Sequence, residues 1–438
     1  MRLRELSRRP FAMGYALVGL VLAAAMAFSF MKYPYGCAVP DTQSYIDAYH
    51  SLLNGRIHSW RMPLYPLLAG GCMDIFGPAY GGSAVALLQW LMYGVTLCYM
   101  RRLLLAVTSS QRIAFWVTAI YALMPGNFEP NQILFTETTA TCLTTMMACH
   151  MAGTLRNPRT GRAAAAMLCL ILLLTLKPAS APLLATSVIW LGLLVGLHRG
   201  NIRKTAVVIC AGIVLAMSFL TLYLAAMHSM HGLNTLSATS TANNFFTIRQ
   251  AGLITAANTS DTTLQRLIAD SLPTEASADI YRTWDEYYII QRNIGDIRME
   301  QFVNSTIATH KATVLRHIVN RFNSICPQYP LFSTRSEFVP WSIPFLPRPN
   351  INVAAWILAA CLLVFISRLR RAPLWASEGL CISVPACLML GTVIAGAMDD
   401  YTRLFLPVQP LFWISVAMVL NVLRIGPETE HRPTLEKQ

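Results

Sequence analysis

The chain has 438 residues, of which 55% are hydrophobic and only 13% charged, with a net charge of +13 and a mean hydropathy of +0.46. Soluble globular chains carry about 25% charged residues, so much of this surface faces lipid. An ordinary soluble enzyme of two or three domains is thereby excluded.

Apolar runs long enough for membrane spans, about 20 residues or somewhat fewer, occur at 12–31, 81–100, 112–124, 133–154, 163–177, 179–197, 205–227, 352–367, 374–397 and 404–423. The fold class expected is all-α and polytopic, with about ten spans. The runs 112–124 and 163–177 are short and need protein neighbours, local thinning or a re-entrant path. Arg2, Arg4, Arg8 and Arg9 precede the first run. Its long core and the nine runs behind it read as an uncleaved anchor rather than a signal peptide.

Ten spans put both termini on one side. The loops of that side carry 19 of the 34 Lys and Arg, the short opposite loops carry five, and the 228–350 segment carries ten. Positive charge marks the cytoplasmic side. Both termini are therefore expected inside and the long segment outside, at a cell or inner membrane. The Arg residues gather at span ends rather than on one face, which argues against nucleic acid as a partner.

Three pieces are organised as: an N-terminal membrane module, 1–227, holding the first outer loop 32–80; an outer helical segment, 228–350; and a C-terminal membrane module with a short tail, 351–438. The loop 32–80 opens on DTQSYIDAYHSLLNG, a helical pattern for which Asp41 is a natural N-cap. RMPLYPLLAGGCMDIFG follows, apolar but broken by prolines and a Gly pair, as suits an interfacial helix. In the second piece, 234–260 reads as loop. Amphipathic helices are expected near 261–272, 276–292, 295–309 and 311–324, then a Pro-rich run, 327–349, with Trp341 and Phe345 at an aromatic belt. The turn MDDYTR occupies 398–403. No internal repeat is visible.

Of eleven Cys none forms C-x-x-C, and most lie in spans as small hydrophobes. Cys37 and Cys326 are expected outside, with Cys72 near the surface, and buried thiols are the better reading than a disulfide. The patterns G-x-x-x-x-G-K-[ST], G-x-G-x-x-G and H-E-x-x-H are absent, which argues against a nucleotide-driven pump and a zinc protease.

The charged residues of interest sit at the outer surface. Asp41 and Asp47 are six residues apart and do not share a helix face. Either carboxylate could act as a general base; helix capping and a solvated face are the plainer readings. Arg61 in WRMPLYP, Lys177 in LLLTLKP and Arg403 in DDYTRLFLP all fall at one depth, against the charge bias. They could snorkel to headgroups or share an anion such as a lipid phosphate. Glu137, in LFTETT near the start of its span, is an expensive intramembrane carboxylate, expected to pair with one of those cations. Asp399 and Asp400 could hold a divalent cation with water or be two exposed turn acids. His310, His317 and Arg321 form a basic stripe on one helix.

Taken together these residues resemble the GT-C superfamily of polytopic glycosyltransferases, in particular bacterial relatives of protein O-mannosyltransferases and lipid A aminoarabinose transferases. PDTQSYIDAYHSLLNG resembles the family's acidic first outer loop, and RMPLYPLLAG its R-P-P-L-Y-P segment. LFTETTATCL resembles its S/T-E span start, and LKPASAPLL and YTRLFLPVQPLF its R/K-P and R-Y-x-x-P-x-x-P signatures. The usual D-E is D-T at Asp41–Thr42, R-P-P is R-M-P, and R-Y is T-R-L.

The resemblance implies transfer of a sugar from a polyprenyl-phosphate carrier to a lipid, glycan or protein acceptor at the outer surface. It makes Asp41 the candidate base, and Arg61, Lys177 and Arg403 candidate binders of the carrier phosphate. Glu137, Tyr45 and Asp47 are placed in the same substrate site, with a divalent cation as a candidate cofactor. A polymerase or ligase of lipid-linked glycans would favour clustered outer Arg residues, and a transporter would favour ionisable groups at mid-bilayer. Neither pattern is present.

Overall fold

In a computed structural model the described residues are 9–198, 202–273, 280–324 and 406–424, with isolated positions 276, 379 and 384. The predicted spans 352–367 and 374–397 fall outside them but for positions 379 and 384. So do Arg403, Asp399, Asp400, Cys326 and the Pro-rich run. Among the described residues every regular element is helical, and an isolated parallel bridge joins Cys37 to Ile133.

The first helix, α1 (Arg9–Lys32), has 24 residues. At about 1.5 Å per residue it is long enough for a hydrocarbon core about 30 Å thick. Met13, Leu17, Leu20 and Met31 lie exposed along it, as expected of a helix solvated by lipid. The helical stretches Phe11–Lys32, Leu64–Thr108, Pro178–Leu197 and Arg203–His231 are long and apolar enough to cross a membrane, and Thr160–Leu176 and Leu406–Met418 are shorter apolar helices. The chain is thus an α-helical polytopic membrane protein.

After α1 the chain turns through Gly36, at φ 75°, and α2 (Pro40–Leu53) follows. Next, α3 (Leu64–Thr108) is not one rod. Gly77 breaks it at φ 77°, ψ 163°, and Pro78 follows. A Cβ on Gly81 would meet Met73 Cα at 2.6 Å, and Tyr65 Oη donates to Gln89 Oε1 at 2.9 Å. Both pairs are centred on residue 77, so α3 is an antiparallel hairpin. The apolar segment expected as a separate interfacial helix is its first arm.

A short helix, α4 (Gln111–Leu123), packs against α1 and α3. A one-turn helix, Pro125–Phe128, and a 3₁₀ turn, Glu129–Gln132, then delay the next element. The fourth predicted span therefore starts late, as α5 (Glu137–Arg156). This is a central helix, packed on α3, α6 (Thr160–Leu176) and α7 (Leu183–Leu197). Three of its buried threonines satisfy their hydroxyls by donating one turn back: Thr141 to the Glu137 carbonyl, Thr145 to that of Thr141 and Thr154 to that of His150. That local bonding is why a Thr-rich helix tolerates an apolar bundle. The last bundle helices described are α8 (Arg203–His231) and α13 (Gln409–Arg424).

A second core covers one end of the bundle. It contains α9 (Ala238–Gln250), α10 (Thr262–Ser271), α11 (Ile280–Thr309) and α12 (Lys311–Ser324). The last three match the expected amphipathic segments, with Gly295 breaking α11. The expectation of a loop at 234–260 is corrected by α9. Its Thr, Ser and Asn are poor helix formers, but Ala242, Phe245, Phe246 and Arg249 recur at helical spacing and are buried, so tertiary packing overrides propensity. Ser237 caps its start by accepting from Thr239 N.

Inside this cap Arg249 Nε lies 2.7 Å from Glu286 Oε2, with side chains only 3% and 7% exposed. Arg249 also donates to the Pro273 carbonyl at 2.6 Å. Removing one member of such a pair strands a buried charge and costs about 3–5 kcal/mol, whereas replacing both with apolar groups is often neutral. Arg249→Met is therefore expected to lower the thermal unfolding midpoint of the purified protein strongly. The double variant Arg249→Met, Glu286→Leu is expected to recover most of that loss, as differential scanning fluorimetry would show.

Candidate functional site

At the capped end, the start of α2 is fixed from both sides. Pro40 presets the first helical φ, and Val39, not Asp41, is the N-cap. The Thr42 hydroxyl accepts from Val39 N at 2.9 Å and donates to the Leu134 carbonyl at 3.3 Å. Behind it, Cys37 N donates to the Gln132 carbonyl at 2.7 Å. Tyr45, Ala48 and Tyr49 form the buried stripe of α2. Asp41 thus sits in the first turn, where a carboxylate suits the helix dipole, and its side chain is released from the expected capping role.

What it meets instead is Arg61. The segment between α2 and α3 returns so that Arg61 Nη2 lies 2.6 Å from Asp41 Oδ1, with side chains 19% and 26% exposed. Arg61 Nε donates to Ser44 Oγ at 2.7 Å, and its guanidinium carbon stands 4.6 Å from the Tyr45 ring centre. An ion pair, a hydroxyl and a cation–π contact therefore hold one planar group.

The arrangement continues inward. Tyr45 meets Tyr65 edge to face at 4.7 Å. Gln89, which accepts from Tyr65, donates to the carbonyls of Asn131 and Ile133 at 2.9 and 2.7 Å. The Tyr65 hydroxyl lies within electrostatic range of Glu137. Glu137, the first residue of α5 and 1% exposed, pairs with Lys177 Nζ at 2.9 Å. Lys177 ends α6, where Pro178 prevents continuation. Two acid–base pairs therefore stand at one end of the bundle, separated by a tyrosine layer.

The cap closes over this end through Trp60. Its carbonyl accepts from the Ser237 and Thr239 hydroxyls at 2.8 and 3.3 Å. Its ring lies 6.2–6.3 Å from those of Trp284, Tyr287 and Tyr288. Burial pushes the Tyr288 hydroxyl up, while Arg61 and Arg292 pull it down and Asp41 pushes it up further. Tyr288 is therefore within the field of the Arg61–Asp41 pair.

Asp47 is not part of this gathering. It is exposed, accepts from Gln43 Nε2 at 2.9 Å, and lines an open cavity of about 580 Å³ with His50, Ser51, Asn54 and Arg56. Arg403 lies outside the described residues. His310 and His317 are half-buried. Cys72 is a half-buried free thiol. Among the described residues no three His, Cys, Asp or Glu side chains gather to hold a metal ion. Sequence reasoning missed Ser44, Trp60, Tyr65, Gln89 and Tyr288. For Tyr288 a signal was present, the aromatic run WDEYY.

Fold and site together define a helical membrane protein with a cluster of charged and aromatic side chains at one end of its bundle. No protein-family model and no curated protein matches the chain. Among solved structures it is similar to archaeal oligosaccharyltransferase AglB from Archaeoglobus fulgidus, solved with an inhibitory peptide and a dolichol-phosphate. That match has 12% identity, covers 92% of this chain and 50% of that chain, and has a TM-score of 0.46. ArnT from Cupriavidus metallidurans bound to undecaprenyl phosphate is similar at 12% identity, 92% and 78% coverage and a TM-score of 0.38. Arabinosyltransferase EmbB from Mycobacterium smegmatis is similar at 14% identity, 88% and 42% coverage and a TM-score of 0.38. The chain spans half the length of the AglB chain it matches, and all three scores fall below 0.5.

His58 supplies a pH test of this region. Its Nδ1 accepts from Trp60 N at 3.1 Å, which requires the neutral ring. Burial, then the nearby Arg61 charge, holds its pKa below the usual 6.5. The unfolded chain thus takes up the proton first as pH falls, so stability is complete above about 6.5 and declines below it. The thermal midpoint is expected to drop from pH 7 to pH 5.5 in the wild type. It should drop less in His58→Asn, which keeps an acceptor without titrating, as scanning fluorimetry at matched ionic strength would show.

Proposed function

We propose that the chain is a GT-C-type membrane glycosyltransferase that moves a sugar from a polyprenyl-phosphate carrier to an acceptor hydroxyl at the outer face of a cell membrane. The observation that carries this reading is the Asp41–Arg61 pair at 2.6 Å, seated on Tyr45 beneath the Trp60 and Tyr288 rings. It puts a carboxylate beside a cation at the capped end of the bundle. The order of sequence motifs around it supports the same reading. The cap, 228–350, would then lie outside, and both termini would lie inside.

In this mechanism the carrier phosphate stays in the interface, because its polyprenyl tail cannot leave the bilayer. Arg61 and Lys177, with Arg403 from outside the described residues, bind the phosphate and stabilise it as it departs. Charge-assisted donors of this kind act most strongly where charge develops. Asp41 takes the proton of the acceptor hydroxyl, and the resulting oxygen attacks the anomeric carbon. The bond from that carbon to the phosphate oxygen breaks, and the phosphate leaves with the electron pair. In-line attack inverts the anomeric centre.

Phosphate binding also serves Asp41. A carboxylate paired with arginine is a weaker base, so drawing the guanidinium toward the phosphate raises the basicity of Asp41 when donor is present. Glu137 holds Lys177 in place; it is buried and donates nothing to the acceptor. No nucleotide is needed, which agrees with the absence of nucleotide-binding loops.

The test separates binding from chemistry. Asp41→Asn, in lipid nanodiscs, is expected to bind undecaprenyl phosphate as the wild type does while transfer falls by about 10²–10⁴, the usual yield of a general base. Arg61→Ala and Lys177→Ala are each expected to weaken undecaprenyl phosphate binding about tenfold, the loss of one charge-assisted bond. Full transfer by Asp41→Asn, with an undecaprenyl-phosphate sugar as donor, would remove Asp41 from the mechanism.

A further inference from the structure

On α11, Trp284, Tyr288 and Arg292 recur every four residues and so rise along one face of the helix. The Trp284 and Tyr288 rings stack at 5.5 Å with 26° between their planes. The Arg292 guanidinium stands 5.9 Å from the Tyr288 ring centre. Both rings pack against Trp60, whose chain neighbour is Arg61.

Several described aromatic side chains of the cap are buried. Phe245, Phe246 and Tyr287 are 0%, 1% and 1% exposed, whereas Tyr288 is 36% exposed. A ring needed only for packing would follow its neighbours inward. Tyr288 instead keeps its surface at the rim, with a carboxylate and two guanidinium groups within its field.

This combination matches one kind of ligand. The C–H edges of a pyranose carry partial positive charge and suit the negative face of an aromatic ring. Its outward hydroxyls suit carboxylate and guanidinium groups, which pair with adjacent donors and acceptors in two-point fashion. A lipid tail would use the rings and leave the charged rim unmatched. A bare phosphate would use the rim and leave the rings idle.

We infer that Tyr288, backed by Trp284 and Trp60 and flanked by Arg292, is a sugar-ring subsite of the Asp41–Arg61 centre. This rests on the transferase reading and names the group that binds there: a pyranose, belonging to the donor or to a glycan acceptor. Tyr288 seats the ring so that its reacting atoms face Asp41. The subsite couples cap to bundle, because the platform comes from α11 and the ion pair from α2 and the segment after it.

Saturation-transfer NMR tests it without transfer chemistry. The full chain in nanodiscs is titrated with the methyl glycosides of glucose, galactose, mannose and N-acetylglucosamine. At least one is expected to receive saturation on its ring C–H protons. Tyr288→Phe should keep the signal, and Tyr288→Ala should lose it, with affinity falling about tenfold or more as for other aromatic anchors. Tyr80→Ala, an exposed aromatic at the α3 hairpin, should keep it. In transfer assays Tyr288→Ala should raise KM for whichever substrate carries the ring, with kcat changed less. A rise for the donor alone assigns the ring to the carrier sugar, and a rise for the acceptor alone assigns it to a glycan. Saturation of no glycoside, or saturation and KM unchanged in Tyr288→Ala, overturns the subsite. Failure of the transferase reading is distinct, since it would appear as absent transfer in the wild type.

Discussion

Three parts of this end of the molecule meet at Arg61 and its neighbour Trp60. Arg61 is bound to Asp41, to Ser44 and to the Tyr45 ring, all on α2. Its backbone carbonyl accepts from Tyr223 on α8 at 3.4 Å, and its neighbour Trp60 anchors the cap. Arg61 therefore ties the loop helix, a long bundle helix and the cap together. Its side chain holds Asp41, Ser44 and Tyr45 together because a planar, permanently charged fork satisfies several partners at once, as a lysine could not; the links to α8 and the cap run through its backbone carbonyl and through Trp60.

The second pair works by a different balance. Glu137 is almost wholly buried while Lys177 is 20% exposed. Desolvating a carboxylate costs several kcal/mol, so Lys177 and the Thr136 hydroxyl, 3.1 Å away, are needed to hold it charged. The placement follows from chain punctuation. Lys177 ends α6 because Pro178 follows, and Glu137 begins α5 because the Pro-containing turns before it delay the helix. Two helix boundaries of opposite polarity meet there, each carrying the charge its partner lacks.

Much of the bundle was legible because lipid imposes a simple rule. Every span must be apolar and internally hydrogen-bonded, so hydropathy alone located α1, α8 and the second arm of α3. The pairing of Glu137 with a cation was legible for the same reason, since a bare intramembrane carboxylate is too costly. The cap was read less well. Helix α9 hid behind Thr, Ser and Asn, and only the spacing of Ala242, Phe245, Phe246 and Arg249 betrayed it. The α3 hairpin was obscured as well, because a Gly–Pro break marks a turn without saying which way the chain goes afterwards.

By itself the sequence determined the membrane class, the positions of most helices, and which charged residues stand against the prevailing bias. Those follow from composition and period, which are local properties. The tertiary structure decided the pairings: Asp41 with Arg61 rather than with its own helix end, Glu137 with Lys177, and Arg249 with Glu286. It also decided that the rings of Trp60 and Tyr288 meet, although more than two hundred residues separate them. Such contacts depend on how the chain reverses at Gly77 and how the cap settles on the bundle. Those are long-range choices among many compact arrangements that satisfy the same local pattern.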